Sequence, residues 1–192
     1  MNPVIENIVT RRSVRAYQNK QIPKEILEDI LLAGSYAPSA MGTQGRRITA
    51  IQSEEGIQKV NDAVRESLRS IPVTEKTHPY IISLIEKAQS PTSEFLYGAP
   101  VYVILTDTPE NLSAVPDCAL AAQNIMLAAH AYGIGSCWIN QLPGMTQLPQ
   151  IRALLKELGL PEDHIALSSV VLGYPAGQTG PAEERKDRVA IL

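Results

Sequence analysis

The chain has 192 residues, a formal net charge of −3 from 17 basic and 20 acidic side chains, and 44% hydrophobic residues. This length is enough for one packed domain and short for two, so we expect residues 1–192 to form a single domain. The weakly acidic balance and the lack of a lysine tract argue against nucleic acid as the main partner. No uncharged apolar run of about 18 residues occurs, so we expect no membrane-spanning segment.

The cysteines and the N-terminal sequence indicate the cellular compartment. Cys118 and Cys137 are the only cysteines, and they imply no disulfide framework. The chain begins MNPVIENIVTRR, which lacks the long apolar core of a secretory leader. Both features favour a cytoplasmic protein. His78, His130 and His164 have no metal-ligand spacing with the cysteines or with each other, so we expect no metal site.

The hydrophobic pattern alternates helices with a few strands. Asn2-Pro3 opens a first helix, and Pro23 opens a second helix that Gly34 is expected to end. Further helices are predicted over 54–68, 80–87, 116–132 and 148–158, and strands over 47–52, 100–106, 136–139 and 165–174. The helix over 116–132 is apolar or small nearly all round, so it should be central. This order of elements predicts an α+β or α/β domain with one mixed sheet.

Three segments do not fit the core. Residues 35–46 are small and turn-forming and predict a loop. Residues 70–95 contain three prolines and are expected to cover another part of the molecule, not to form core. The tail over 175–192 is rich in Pro, Gly and charge until Val189, after which it becomes apolar.

A basic cluster follows the first predicted helix. Arg11, Arg12, Ser13 and Arg15 fall within five residues, and Arg11 and Arg15 share a face if the helix continues. Forked guanidinium donors beside a hydroxyl are what a phosphate dianion requires. Solvated cations that complement the dipole at a helix C-terminus would give the same pattern. The cluster alone leaves both interpretations open.

Four segments, in order and spread over nearly the whole chain, resemble the FMN-dependent nitroreductase family. They are RRSVRAY from Arg11, APSAMGTQ from Ala37, the helix from Asp117 to Gly133 followed by GSCWI, and LGYPA from Leu172 with Arg185-Lys186 after it. The resemblance implies a three-layer α/β/α fold with one central mixed sheet. It also implies an intertwined homodimer that holds FMN where the two subunits meet.

The resemblance assigns roles to particular residues. The opening motif of the family grips the FMN phosphate and the pyrimidine side of the ring, a role that carries to Arg11, Arg12, Ser13 and Arg15. A late basic residue completes the phosphate site, with Arg185 the best match and Lys186 second. The Pro-Ser loop, which comes from the other subunit, carries to Pro38, Ser39, Ala40, Met41 and Gln44. In the family, backbone groups after the central helix lie near the reactive flavin nitrogen, and the matching residues here are Ile134, Gly135 and Ser136.

The Pro-Ser loop departs from the family pattern. The family's loop usually continues Asn-x-Gln-Pro-Trp, whereas here Gly42 stands for Asn and Gly45-Arg46 stands for Pro-Trp. The first change removes a polar contact to the flavin, and the second removes packing beneath the loop.

The resemblance also implies the reaction. NADH or NADPH reduces FMN, and a quinone or nitro-aromatic then takes the electrons in the same slot by ping-pong kinetics, with no catalytic side chain required. Other flavin chemistry on the same scaffold (reductive dehalogenation, flavin destruction or enoate-like reduction) and a non-catalytic flavin-binding module stay open. Asn124 is expected either to make a structural hydrogen bond or to lie near the flavin. Residues 189–192 are expected to add to the partner's sheet edge.

Overall fold

The structure, a computed structural model, describes residues 1–182, 185–186 and 189–191. Its helices and strands, in chain order, are α1 (Pro3–Thr10), α2 (Lys24–Ser35), β1 (Arg47–Ile51), α3 (Glu54–Ser70), α4 (Pro79–Ala88), β2 (Val101–Asp107), α5 (Ala114–Ala131), β3 (Gly135–Trp138), α6 (Gln141–Gly144), α7 (Pro149–Glu157) and β4 (Ile165–Gly173). Every helix and strand predicted from the sequence is present, with ends that differ by a few residues. The four-residue α6 was not predicted. No helix in the described part of the chain is long and apolar enough to cross a lipid bilayer.

The four strands form one sheet in the order β1-β2-β4-β3. All three ladders are antiparallel, and the parallel pairing among the described residues is the single bridge between Ser13 and Ser136. The α+β class is confirmed, but the expected mixed character is limited to that bridge. Helix–strand alternation does not fix strand direction here, because each connection between paired strands carries two or more helices.

The sheet is buried on both faces, which confirms the three-layer arrangement. All seven residues of β2 are buried. Tyr102 and Ile104 pack with apolar side chains of α3 and α7 on one face. Val103 and Leu105 pack with those of α2 and α5 on the other. This alternation follows from the period of two in a strand, and burial on both faces explains why β2 reads as one apolar run.

Helix α5 is central, as expected, and its contact with α2 corrects one prediction. Gly34 does not end α2, which continues to Ser35. A Cβ atom at Gly34 would lie 2.6 Å from Cγ1 of Ile125, so the glycine lets the two helices approach closely. The Asn124 side chain donates its amide to the carbonyl of Ala33 at 3.0 Å, so the structural alternative for this residue is the one observed.

The covering segment over 70–95 is held against α3 by buried polar contacts. Asn61 donates to the carbonyl of Ser93 at 2.9 Å and accepts from the backbone amide of Phe95 at 2.8 Å. The Arg69 guanidinium donates to the carbonyl of Ala88 at 2.6 Å. These bonds fix the C-terminal end of α4 and the loop that follows it.

Apolar side chains of α1 and of the tail are left without cover in the described chain. Helix α1 has no buried residue, and Val4, Ile5, Ile8 and Val9 are between 43% and 66% exposed. In the tail, Val189 is 91% exposed. Leu192, the last residue of the expected strand addition, lies outside the described residues. The addition of the tail to a partner's sheet stays a prediction.

Candidate functional site

Residues 11–15, here called the arginine segment, run along the outer edge of β3. Helix α1 ends at Thr10, and Arg11 has the extended angles φ −59° and ψ 136°. The shared helical face of Arg11 and Arg15, which required the helix to continue, is therefore not formed. The backbone amide of Val14 donates to the carbonyl of Ser136 at 2.9 Å, which fastens the segment to the strand.

Gly135 makes this docking possible. A Cβ atom at this position would lie 2.8 Å from Cγ2 of Val14. Such a separation is far inside van der Waals contact, so any larger residue would push the arginine segment away from β3. The glycine thus connects the two predicted site segments directly.

A small concave site of about 180 Å³, here called the anion pocket, lies at this junction. Its lining residues are Arg11, Arg12, Val14, His130, Gly133, Ile134, Gly135, Ser136, Pro175 and Thr179. Nη1 of Arg11 and Oγ of Ser136 are buried and have no hydrogen-bond partner among the described residues. Buried donors are nearly always paired, so these two groups indicate a ligand that accepts hydrogen bonds.

Electrostatics support an anion at the same place. Burial is the main cause that lowers the pKa of Arg11; Cys137 raises it by less, and the positive charges of Arg185 and then Arg12 lower it further. Three guanidinium groups that repel one another gain stability from a bound anion. The alternative of solvated cations at a helix end does not explain a half-buried Arg11 with an unpaired nitrogen.

His130, at the end of α5, completes one wall of the anion pocket. Its Nε2 atom lies 2.9 Å from the hydroxyl of Thr10. Burial lowers the pKa of His130, and the charge of Arg11 lowers it further, so the imidazole is held neutral. It therefore adds a hydrogen-bonding group to the pocket without adding a fourth positive charge.

A larger cavity of about 460 Å³, here called the ring pocket, lies next to the anion pocket along β3. Its walls are mainly apolar and aromatic: Leu68, Ile71, Tyr80, Ile81, Leu84, Tyr97, Cys137, Trp138, Ile139, Gly144 and Met145, with Arg15, Asn140 and Gln141 as the polar members. Arg15 is the charged side chain among them. A cavity of this size and lining suits a flat organic molecule.

Polar groups in the ring pocket are only partly satisfied. Nε1 of Trp138 donates to Oγ of Ser168 at 2.8 Å, which fixes the indole. Nε2 of Gln141 lies 3.4 Å from the hydroxyl of Tyr80, whereas Oε1 of Gln141 is buried without a partner in the described structure. That oxygen is available to accept a hydrogen bond from a ligand. Burial raises the pKa of Cys137 and keeps its thiol neutral, as expected of a structural cysteine.

The Pro-Ser loop lies elsewhere in the subunit. The backbone amide of Ala40 donates to the carboxylate of Asp117 at 3.2 Å, at the start of α5, while the anion pocket touches His130 at its other end. These positions are 13 residues apart, or about 20 Å along a helix that rises 1.5 Å per residue. In the described chain, neither pocket is lined by a residue of the loop.

The loop projects into solvent from a well-bonded base. Met41 is 98% exposed and has a φ of +52°. The backbone amide of Gln44 donates to Oγ of Ser39 at 3.1 Å. The guanidinium of Arg46 donates to the carbonyls of Ser35 and Pro38, each at 3.0 Å, and to that of Ala37. Arg46 thus fills the place where the sequence predicted missing packing.

The structure groups the expected site residues in three places. Arg11 and Arg12 meet Ile134, Gly135 and Ser136 in the anion pocket, with Arg185 close enough to affect Arg11. Arg15 lies in the ring pocket. Pro38, Ser39, Ala40, Met41 and Gln44 form the separate loop. Ser13 and Lys186 are exposed and line neither pocket.

The predicted site lacks the second half of β3, the residues that follow it, and Tyr80 of α4. Cys137 to Gln141 and Tyr80 line the ring pocket, yet the prediction stopped at Ser136. The available signal was the end of the short strand itself, since the residues after a strand commonly form the rim of a site.

Comparison with known proteins agrees with the fold. The Nitroreductase family matches residues 8–174. A Bacteroides fragilis nitroreductase crystallised with bound FMN superimposes with a TM-score of 0.90 and is 36% identical, covering 100% of both chains. A Methanothermobacter thermautotrophicus protein with the provisional name NADH dehydrogenase/NAD(P)H nitroreductase is 31% identical over 182 residues, 92% of this chain and 80% of the relative.

A more distant relative is the Bacillus subtilis FMN reductase (NADPH), which is 22% identical over 180 residues, 94% of this chain and 69% of the relative. The fold, the paired pockets and the extent of these matches define a flavoprotein-type oxidoreductase scaffold. The chain belongs to the nitroreductase family.

Proposed function

We propose that this protein binds FMN and uses NADH or NADPH to reduce quinone or nitro-aromatic acceptors. The observation that carries the proposal is the buried, unpartnered Nη1 of Arg11. It lies among other guanidinium groups and beside a ring-sized apolar cavity. The names of the relatives, which include nitroreductases and an FMN reductase, support the same chemistry.

The anion pocket would hold the phosphate. Arg11 and Arg12 supply forked donors, Arg185 adds a third positive charge, and the free hydroxyl of Ser136 supplies a neutral donor. Charge-assisted bonds of this type are about twice as strong as neutral ones. Lys186, next to Arg185, would add charge at longer range.

The ring pocket would hold the flavin ring and the molecules that react with it. When bound, FMN supplies the hydride chemistry. Arg15 would stabilise negative charge on the adjoining pyrimidine edge, and Oε1 of Gln141 would accept a hydrogen bond from a ring N–H. The apolar walls formed by α3, α4 and Met145 exclude water.

The same cavity would admit the nicotinamide and the acceptor in turn, which predicts ping-pong kinetics. The ring pocket is one cavity of about 460 Å³, so we expect a single slot over the flavin to serve both molecules. Among the residues that the structure describes, its lining contains no carboxylate or histidine to act as a general acid or base. This agrees with a reaction in which positioning and charge, not side-chain proton transfer, are the protein's contribution.

The active form would be a homodimer. In the described chain the Pro-Ser loop lines neither pocket, and its contact with α5 lies about 20 Å along that helix from the anion pocket, which supports a loop that covers the flavin of another copy. The uncovered apolar face of α1 supplies surface for that contact. A cytoplasmic location stays a prediction.

The absorption spectrum of the purified protein tests the proposal. We expect a yellow protein whose flavin bands are bleached by NADH or NADPH and recover when menadione is added. A colourless protein that takes up no added FMN would refute the proposal. Bound flavin that no nicotinamide bleaches would instead favour a non-catalytic flavin-binding module, and bleaching without recovery would favour other flavin chemistry.

A further inference from the structure

The Pro-Ser loop of this chain is built around Arg46. A family tryptophan would pack beneath the loop through apolar contact. Arg46 instead donates to three main-chain carbonyls, those of Ser35, Ala37 and Pro38. A guanidinium has five donors in a rigid plane, so one side chain can bond three acceptors in a fixed geometry, whereas the three donors of a lysine ammonium rotate on a flexible stem.

The loop needs such an anchor because its own backbone is strained. Met41 and Gln44 have φ angles of +52° and +48°, in the left-handed region that non-glycine residues avoid. Such conformations persist only where surrounding bonds impose them. The amide of Ala40 and the hydroxyl of Ser39 hold the tip, and Arg46 holds the base from which the tip projects.

Gly45 is matched to this use of Arg46. A Cβ atom at Gly45 would lie 2.9 Å from Oδ1 of Asp107. That carboxylate is buried and accepts from the backbone amide of Thr108 and from the side chain of Asn111, both at 2.8 Å, so it cannot move aside freely. A proline at position 45 would collide there, so the loop that Arg46 holds also requires a residue without a Cβ atom at this position.

We propose that Arg46 is a positioning residue that sets the place of Pro38 and Ser39 against the flavin. The inference rests on the proposed function, because it requires a flavin for the loop to cover. Removing the guanidinium frees three carbonyls at the base of the loop. Pro38 and Ser39 then lose their fixed distance from α2, and the cover over the flavin loosens.

The test compares Arg46→Met and Arg46→Lys with wild type and with a matched control, Arg152→Met. Arg152 also bonds main-chain carbonyls, those of His164 and Glu162, but it lines neither pocket. Three quantities are measured: the FMN dissociation constant from fluorescence quenching, the visible circular dichroism of bound flavin, and the melting temperature of FMN-free protein.

We expect Arg46→Met to raise the dissociation constant on the order of tenfold, as for a site whose support is loosened, and to change the flavin dichroism. The dissociation constant and flavin dichroism of Arg46→Lys should lie between those of Arg46→Met and wild type. If Arg46→Met does not fold, Arg46→Lys is compared with wild type in its place. Arg152→Met should lower the melting temperature and leave both flavin signals unchanged.

Two outcomes contradict the inference in different ways. If both Arg46 variants lower only the melting temperature, as the control does, Arg46 is structural and the positioning role is wrong, while the proposed function stands. If wild type itself binds no FMN, the proposed function fails first and the role of Arg46 fails with it.

Discussion

Replacing Arg11 with methionine should weaken FMN binding without weakening the fold. This guanidinium is half-buried, its Nη1 has no hydrogen-bond partner among the described residues, and Arg12 and Arg185 repel it. Its removal relieves that repulsion, so the free energy of unfolding of the FMN-free protein should stay the same or rise. This sign is opposite to that of most substitutions at buried positions.

The size of the binding loss follows from the bonds removed. Hydrogen bonds to charged groups contribute about 1.5–3 kcal/mol, and each 1.4 kcal/mol is a factor of ten in affinity. Because Arg11 is partly exposed, solvent and salt screen part of this, so we expect a loss of about tenfold to a hundredfold at low salt and less at high salt. Arg11→Lys keeps the charge and should lose less.

Riboflavin makes the assay specific, because it has the same ring without the phosphate. Both ligands are titrated into wild type and Arg11→Met, with fluorescence quenching as the signal, at two ionic strengths. We expect the substitution to weaken FMN binding and to leave riboflavin binding nearly unchanged. An equal loss for both ligands, or no loss for FMN, would refute the assignment of Arg11 to the phosphate.

Three further substitutions test the elements around the site. Gly135→Ala should weaken FMN binding, since its Cβ would meet Val14 and displace the arginine segment; the FMN dissociation constant measures this. Gly34→Ala should lower the free energy of unfolding by about 1–3 kcal/mol, through overpacking against Ile125, as measured by urea denaturation. The lowered pKa of His130 means that, below about pH 6.5, the unfolded chain binds more protons than the folded one. Stability should therefore fall as the pH drops from 7 to 5, and His130→Gln should lessen that fall.

Much of the fold could be predicted from local sequence. The continuous apolar run of β2 and the small-residue surface of α5 identify the centre of the molecule, because only doubly covered elements can be apolar all round. Strand direction could not be predicted, since it depends on where long connections return. Gly34 illustrates the same limit: a glycine near a helix end is typical of a stop, and only the neighbouring helix reveals it as a packing position.

The candidate site was predicted where one residue type carries the chemistry. Arginines beside a serine indicate an anion whatever the fold, and the structure adds the unpaired Nη1 of Arg11. The ring pocket was predicted less well because its walls come from α3, α4 and the turn after β3, which are far apart in sequence. The role of Arg46 could not be predicted, because its guanidinium bonds three carbonyls that only the folded loop brings together.

The separation of the loop from the anion pocket leads to a last prediction, which concerns α1. Ile8, on the exposed apolar face of that helix, should contact the second subunit. Ile8→Glu would bury a charge in that contact, so we expect sedimentation to show more monomer and FMN titration to show weaker binding at the same protein concentration. Ala153→Glu, at an exposed position of α7, adds the same charge elsewhere and should change neither.

The two readouts must move together if the dimer forms the site. A monomer has the arginines but lacks the partner's loop, so it should retain the affinity of the phosphate contact and lose the protection of the ring. Raising the concentration of Ile8→Glu should then restore FMN affinity as dimer re-forms, in accordance with mass action. A monomeric variant that binds FMN as tightly as wild type would show that each chain holds its flavin alone, and that the exposed Pro-Ser loop serves some other contact.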